Sequence, residues 1–145
     1  MKKVRNKIIP SVFLLLIQNN KIFMLRRFNT GHQDGNYSLI AGHVEKNETP
    51  KQAIKREAKE EAGIEIDLDK LQLIHTVYRT MEERIDFFFT IDKWNGKPSN
   101  NEPEKCDNAA WFNFNVLPQN IAPYVKNALD NYFKNILYAE YKCLL

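Results

Sequence analysis

Apolar and polar positions divide the chain into short segments of two periods. Residues 8–18, IIPSVFLLLIQ, are almost continuously apolar and rich in β-branched and aromatic side chains, which predicts a buried strand. Asn19-Asn20 reads as a tight turn and residues 21–28 as the hairpin partner. A loop over residues 29–37, holding Gly31 and Gly35, leads to a short strand at 38–41. Residues 71–81 and 84–93 predict a second hairpin around Glu82-Glu83, alternating at Ile85, Phe87 and Phe89. The polar stretch 95–108, with Gly96, Pro98 and Pro103, predicts a long loop of a length that tends to be functional. A last short strand is expected at 109–114. Over residues 121–138, Ile121, Tyr124, Val125, Ala128, Leu129, Tyr132, Phe133, Ile136 and Leu137 recur at helical spacing. That stripe fits core packing or a homodimer face better than ligand contact.

Between the strands lies a helix signalled by its caps. Thr49 is a good N-cap, Pro50 suits the first helical position, and Gln52 completes a capping box. Ala, Lys, Arg and Glu then dominate, and Gly63 supplies the stop, so the helix is expected over residues 50–62. Glu57, Glu60 and Glu61 stand three and four apart and share one face. Like charges at such spacing cost a few tenths of a kcal/mol per pair. Three carboxylates pointing one way are natural ligands for a hard divalent cation, Mg²⁺ or Mn²⁺, and bound Mg²⁺ bridges to substrate phosphates. The competing reading is a solvated acidic face partnered by Lys55, Arg56 and Lys59.

The run GHVEKNETPKQAIKREAKEEAGI, residues 42–64, decides between them. Gly42, Glu48, Arg56, Glu57, Glu60, Glu61 and Gly63 fall in the order G-x5-E-x7-R-E-x-x-E-E-x-G, closed by Ile64, which resembles the Nudix box. At roughly 6% usage per letter, seven fixed letters coincide by chance about three times in 10⁹ starting points. The resemblance implies an α/β fold, the Nudix α/β/α sandwich with a mixed central sheet, and it covers most of the chain. It also implies hydrolysis of a nucleoside diphosphate linked to another moiety. Glu48 and Arg56 would brace the loop against the helix, Gly63 would end it, and the Gly42 carbonyl would join Glu57, Glu60 and Glu61 on the metal. Ala58 stands where the family often has a larger aliphatic residue, a departure that costs packing volume. His43, after the box glycine, need not do chemistry.

Composition narrows the setting without changing this picture. The 145 residues, with no repeat, low-complexity tract or linker, read as one domain large enough for a real core. A formal net charge of +3 does not mark a nucleic-acid polymer binder. Cys106 and Cys143 make neither a disulfide framework nor a zinc spacing, and read as thiols of a reducing compartment. MKKVRNK followed by IIPSVFLLLI mimics a signal peptide, but Pro10 and Ser11 interrupt the run and no small-residue cleavage site follows. It is too short to span a bilayer. A cytoplasmic protein with no membrane partner is expected.

Beyond the box, Arg26 and Arg27 end the second strand, and a guanidinium matches phosphate geometry. The segment KIFMLRRFNTGHQDGNYSLIAGHVE resembles the MutT-type region, where an arginine at the position of Arg27 contacts phosphate and a histidine at that of His32 lies nearby. A surface arginine and a loop histidine are the plain alternatives. The family often brings a further carboxylate, as metal ligand or general base, from the loop that here holds Glu102 and Glu104, and Glu104 is the better positional match. Phe28, Tyr37, Trp111 and Tyr124 are the aromatic candidates for stacking a base, Tyr124 foremost, with core packing the alternative for each.

The resemblance therefore implies Mg²⁺-dependent cleavage of a phosphoanhydride by water. Glu57 and Glu61 are the firmest ligands, and Glu60 is a ligand or the base. Sequence marks of the NADH, CoA and ADP-ribose subgroups are absent, and Tyr78 falls short of the spacing in diadenosine polyphosphate enzymes. A nucleoside triphosphate, cut to monophosphate and pyrophosphate, is left as the favoured small-molecule substrate. An RNA 5′-end processor and a non-catalytic nucleotide-binding module remain as alternatives, the second weakened because every box glutamate is present.

Overall fold

The computed structural model describes residues 1–144. Strand β1, Ile9–Gln18, is the spine of a mixed sheet. It pairs antiparallel with β4 (Ile40–His43) and parallel with β6 (Arg84–Ile91), and β6 pairs antiparallel with β5 (Gln72–Arg79). β2 (Lys21–Arg27) leaves the β1 hairpin to pair with β3 (Tyr37–Ser38) and β7 (Cys106–Asn113). The apolar run over residues 12–17 of β1 is explained by helices over both faces of the strand. Val12, Leu14 and Leu16 join Ile54, Ala58 and Ala62 of α1 (Pro50–Ala62). Phe13 and Leu15 join Val125, Ala128 and Leu129 of α2 (Pro123–Phe133). Each fully buried Leu or Ile of these clusters contributes ~1.5–3 kcal/mol. The α/β/α sandwich expected from the sequence is the fold observed.

Several boundaries move. The expected strand at 38–41 is two short strands, β3 and β4, and the strand expected from 109 begins at Cys106. The terminal helix stops at Phe133 instead of running to 138. Asn135 turns left-handed at φ 58°, and the Ile136 N–H donates back to the Asn131 carbonyl at 2.9 Å, closing the helix as a Schellman-type end. Residues Tyr138–Tyr141 then form β8, parallel to β5. Tertiary pairing thus overrides a helical period that persists in the sequence. Ile136 and Leu137, expected on the helix stripe, are 38% and 73% exposed, while Tyr124, Val125, Ala128 and Leu129 are consumed by the core. Among the described residues no helix is long and apolar enough to cross a membrane.

Candidate active site

The box folds as strand, loop and helix around one arginine. β4 brings Gly42 opposite Val12, and the chain then turns into α1 through a complete capping box of Thr49 and Gln52. Gly63, at φ 70°, ends the helix in the left-handed conformation that favours glycine. Arg56 gathers the loop onto the helix. Its Nε and Nη2 donate to the two Glu48 oxygens at 2.8 and 3.0 Å, and Nη2 also donates to the His43 carbonyl at 3.1 Å. Nη1 donates to Glu57 at 2.7 Å and Glu60 at 3.3 Å. The hydrogen-bonded guanidinium holds the Glu48 carboxyl below its usual range.

The loop after β6 docks on the far end of the helix. The backbone N–H of Asn101 donates to the Glu61 carbonyl at 3.0 Å, its side-chain amide to the Glu60 carbonyl at 3.0 Å, and the Ser99 N–H to the Ala62 carbonyl at 3.1 Å. Helix carbonyls that would otherwise lack partners are satisfied this way. Asn100 fixes the next turn, its amide donating to the Cys106 carbonyl at 2.6 Å and its oxygen accepting from the Glu102 N–H at 3.2 Å. Docking and turn together set Glu102 beside the helix glutamates. Asn100 and Asn101 were not singled out in the sequence; their only local signal is the Asn-Asn pair within a Pro- and Gly-bearing loop.

A cleft of about 390 Å³ results, whose wall includes Arg27, Gly42, Glu57, Glu60, Glu61 and Glu102. A larger groove of about 610 Å³ opens elsewhere, around Trp94, Asp92 and Lys97, and contains none of these residues. The glutamate cleft is the chemical candidate because its carboxylates and cations converge there. Burial raises the Glu57 carboxyl, and burial with the neighbouring Glu57 charge raises Glu61 well above its ordinary value. The two carboxyl groups hydrogen-bond each other, and the Ala41 N–H approaches Glu61 at 3.4 Å. Burial, then Glu61, pushes the Cys106 thiol up to about 11, so it offers no thiolate near neutrality.

This donor set fits a hard divalent cation. Glu57 and Glu61 are held together at the expense of ionisation, and a Cβ at position 42 would overlap the Glu57 carboxylate, so the backbone of Gly42 lies directly against that group. Among the described residues no three acidic, histidine or cysteine side chains enclose a metal-sized point, because Arg56 draws Glu60 and one Glu57 oxygen toward itself. A cation held by Glu57, Glu61, Glu60 and the Gly42 carbonyl would require those oxygens to turn inward.

Other expected residues fall unevenly. Arg27 reaches the cleft, its Nε donating to the His32 carbonyl at 2.6 Å and Nη2 to the Thr30 hydroxyl at 3.2 Å. Arg26 is instead paired with Asp107 at 2.6 Å. His32 and Tyr124 stack at 6.0 Å with a 10° interplanar angle, in a second cleft of about 350 Å³ that shares Arg27, Ala41 and Gly42 with the first. Tyr37 is buried edge-on to Phe112, with its hydroxyl accepting from Asn108 at 2.6 Å, and lines neither cleft. Trp111 packs between Phe23 and Trp94, and Phe28 is exposed. Glu104, preferred by its spacing, is exposed and outside the cleft, whereas Glu102 lines it; the Asn100 turn gives this placement.

Comparison with known proteins bears on the family and the fold. The family model described as NUDIX domain matches residues 7–132. An 8-oxo-dGTP diphosphatase of Escherichia coli (strain K12) is 31% identical over 93 residues, 61% of this chain and 68% of that protein. An NAD-capped RNA hydrolase, NudC, of Vibrio atlanticus (strain LGP32) is 30% identical over 117 residues, 81% of this chain but 41% of that protein. Among solved structures, a MutT NUDIX hydrolase from Burkholderia pseudomallei superposes with a TM-score of 0.78 at 21% identity, covering 86% of this chain and 97% of its own, a likeness of fold.

Proposed function

Because this chain belongs to the NUDIX domain family and is a hydrolase of phosphoanhydride bonds, we propose that its substrate is a nucleoside triphosphate, cleaved with Mg²⁺ to a nucleoside monophosphate and pyrophosphate. The observation that carries this reading is one cleft lined by Glu57, Glu60, Glu61 and Glu102 together with Arg27 and Lys105, the last ion-paired with Glu102 at 3.1 Å. Carboxylates would suit Mg²⁺, with Mn²⁺ as a substitute, and the cationic side chains suit substrate phosphates. Sequence similarity to an 8-oxo-dGTP diphosphatase supports a nucleotide substrate.

Glu57, Glu61 and the Gly42 carbonyl would hold the cation, with Glu60 as the adjoining oxygen donor. When bound, a divalent cation neutralises charge on the phosphate oxygens and lowers the pKa of an attacking water. Arg27 orients a phosphate through its remaining guanidinium hydrogens, since Nε is already fixed on the His32 carbonyl. Glu60 or Glu102 accepts the proton of the attacking water; both carboxylates border the cleft. Arg56 positions Glu57 through its Nη1.

The test is product release from a panel of nucleoside triphosphates, ADP-ribose, NADH and dinucleoside polyphosphates with Mg²⁺, comparing wild type with Glu61→Gln. Turnover of triphosphates that falls at least 100-fold in the variant is expected. Turnover confined to another class would replace the substrate assignment. Nucleotide binding without any turnover would point to a binding module.

A further inference from the structure

The second cleft is walled by cations. Arg27 enters from β2, Arg79 from the end of β5 and Arg84 from the start of β6, with His32 and His43 beside them and no carboxylate among the lining residues. Arg79 is committed below the surface. Its Nη2 donates to Asp86 at 3.2 Å, its Nε lies 2.9 Å from the other Asp86 oxygen but out of line for a hydrogen bond, and its guanidinium stands 5.0 Å over the Tyr124 ring. Arg27 and Arg84 are different: among the described residues neither has a carboxylate within 4.0 Å. Two half-buried arginines therefore line one concave surface without a carboxylate in ion-pair contact, Asp34 and Asp86 acting on them only from further off.

Their field reaches His32: burial, then Arg27, lowers its imidazole below the ordinary value. A pocket shaped for a neutral base would offer a free aromatic face or amide groups. Here the Tyr124 ring already stacks His32 and carries Arg79. Guanidinium groups with free donors match phosphate oxygens instead.

We infer that the second cleft is an anion subsite, with Arg84 its uncommitted cation beside Arg27, and that it takes a phosphate carried on the sugar of the bound nucleotide. The two clefts share Arg27, Ala41 and Gly42, so one ligand can span both. The inference rests on the reading that a nucleoside phosphate is cleaved beside the glutamates. The sugar phosphate is either a monoester on a free nucleotide or the first phosphodiester of an RNA strand.

The test is calorimetric binding, without metal, of AMP, adenosine 3′,5′-bisphosphate and the 5′-phosphorylated dinucleotide pApA, to wild type, Arg84→Ala and Arg84→Lys. At least one sugar-phosphorylated ligand should bind about tenfold or more tightly than AMP, and which one does so identifies the source. Arg84→Ala should bring that ratio close to one, while Arg84→Lys, which keeps the charge, should retain most of it. Equal affinity for all three ligands in the wild type, or an unchanged ratio in Arg84→Ala, overturns the inference. Triphosphate hydrolysis is read in parallel. Turnover without a binding preference sinks the anion subsite alone, and a preference without turnover of any triphosphate sinks the substrate assignment alone.

Discussion

Replacing Arg56 by lysine keeps the charge and removes the fork. The guanidinium serves both Glu48 oxygens, the His43 carbonyl, Glu57 and Glu60 at once, over 2.7–3.3 Å. A lysine ammonium has three donors at one point and can serve one or two of these partners. The side chains of Arg56, Glu48 and Glu57 are 23%, 15% and 13% exposed, so their bonds are worth more than surface pairs and less than fully buried ones. Charge-assisted bonds contribute about 1.5–3 kcal/mol each when well buried. Losing the bidentate link and the carbonyl contact while keeping the charge should cost about 2 kcal/mol. With an unfolding entropy of about 2.1 cal/mol/K per residue, that lowers Tm by about 7 °C. Thermal melting followed by circular dichroism, without metal, measures it, and Glu48→Gln with the double variant completes a cycle. The two changes should be strongly non-additive, because each breaks the same fork. A Tm within about 1 °C of wild type for Arg56→Lys would refute the bracing role, as would simple additivity with Glu48→Gln.

Three further outcomes follow from the same cleft. Glu61 has its folded pKa raised, so below the ordinary glutamate value of about 4.3 it adds nothing, and as pH rises the unfolded chain ionises first. Stability of the metal-free protein should therefore fall from there up to the folded pKa of Glu61, and Glu61→Gln should flatten this loss. Melting at about pH 8 should then find the variant at least about 3 °C above wild type, a gap that closes toward about pH 4. Gly42→Ala puts a Cβ into the Glu57 carboxylate; kcat should drop about 100-fold, the loss expected of a displacement near 1 Å, and an unchanged kcat would show that Glu57 can yield freely. Glu102→Gln should lower kcat at least about tenfold and Glu104→Gln less than about twofold, because only the first lines the cleft; the reverse order in steady-state kinetics would invalidate the placement.

What could be read from the sequence was local in the chain. Helix α1 lies where its caps put it, since Thr49, Pro50, Gln52 and Gly63 act within one turn of the ends they define. The brace of Glu48 and Arg56 could be expected because loop and helix are adjacent. Contacts across the chain were not legible. Asn101 reaches helix carbonyls about 40 positions earlier, and that docking selects Glu102 over Glu104. Arg79 and Arg84 are register partners across a hairpin, yet nothing in their spacing says that one is committed to Asp86 and the other is left facing a cleft. The helical period through Leu137 was real, but pairing of Tyr138–Tyr141 with β5 outweighed it.

The energetics of the cleft tie these elements into one argument. Small residues let the helix sit close: Ala58 is fully buried against the sheet, and Gly42 leaves no side chain between β4 and Glu57. Close approach strips water from Glu57 and Glu61, and raises the cost of their charge. Arg56 compensates Glu48, part of Glu57 and part of Glu60, but it contacts no oxygen of Glu61. A larger aliphatic residue at 58 would fill more core volume, yet it would hold the helix further out and relieve the crowding on Glu61. The alanine thus trades packing for a crowded carboxylate pair, and in the proposed reaction a divalent cation would offset the cost of ionising it.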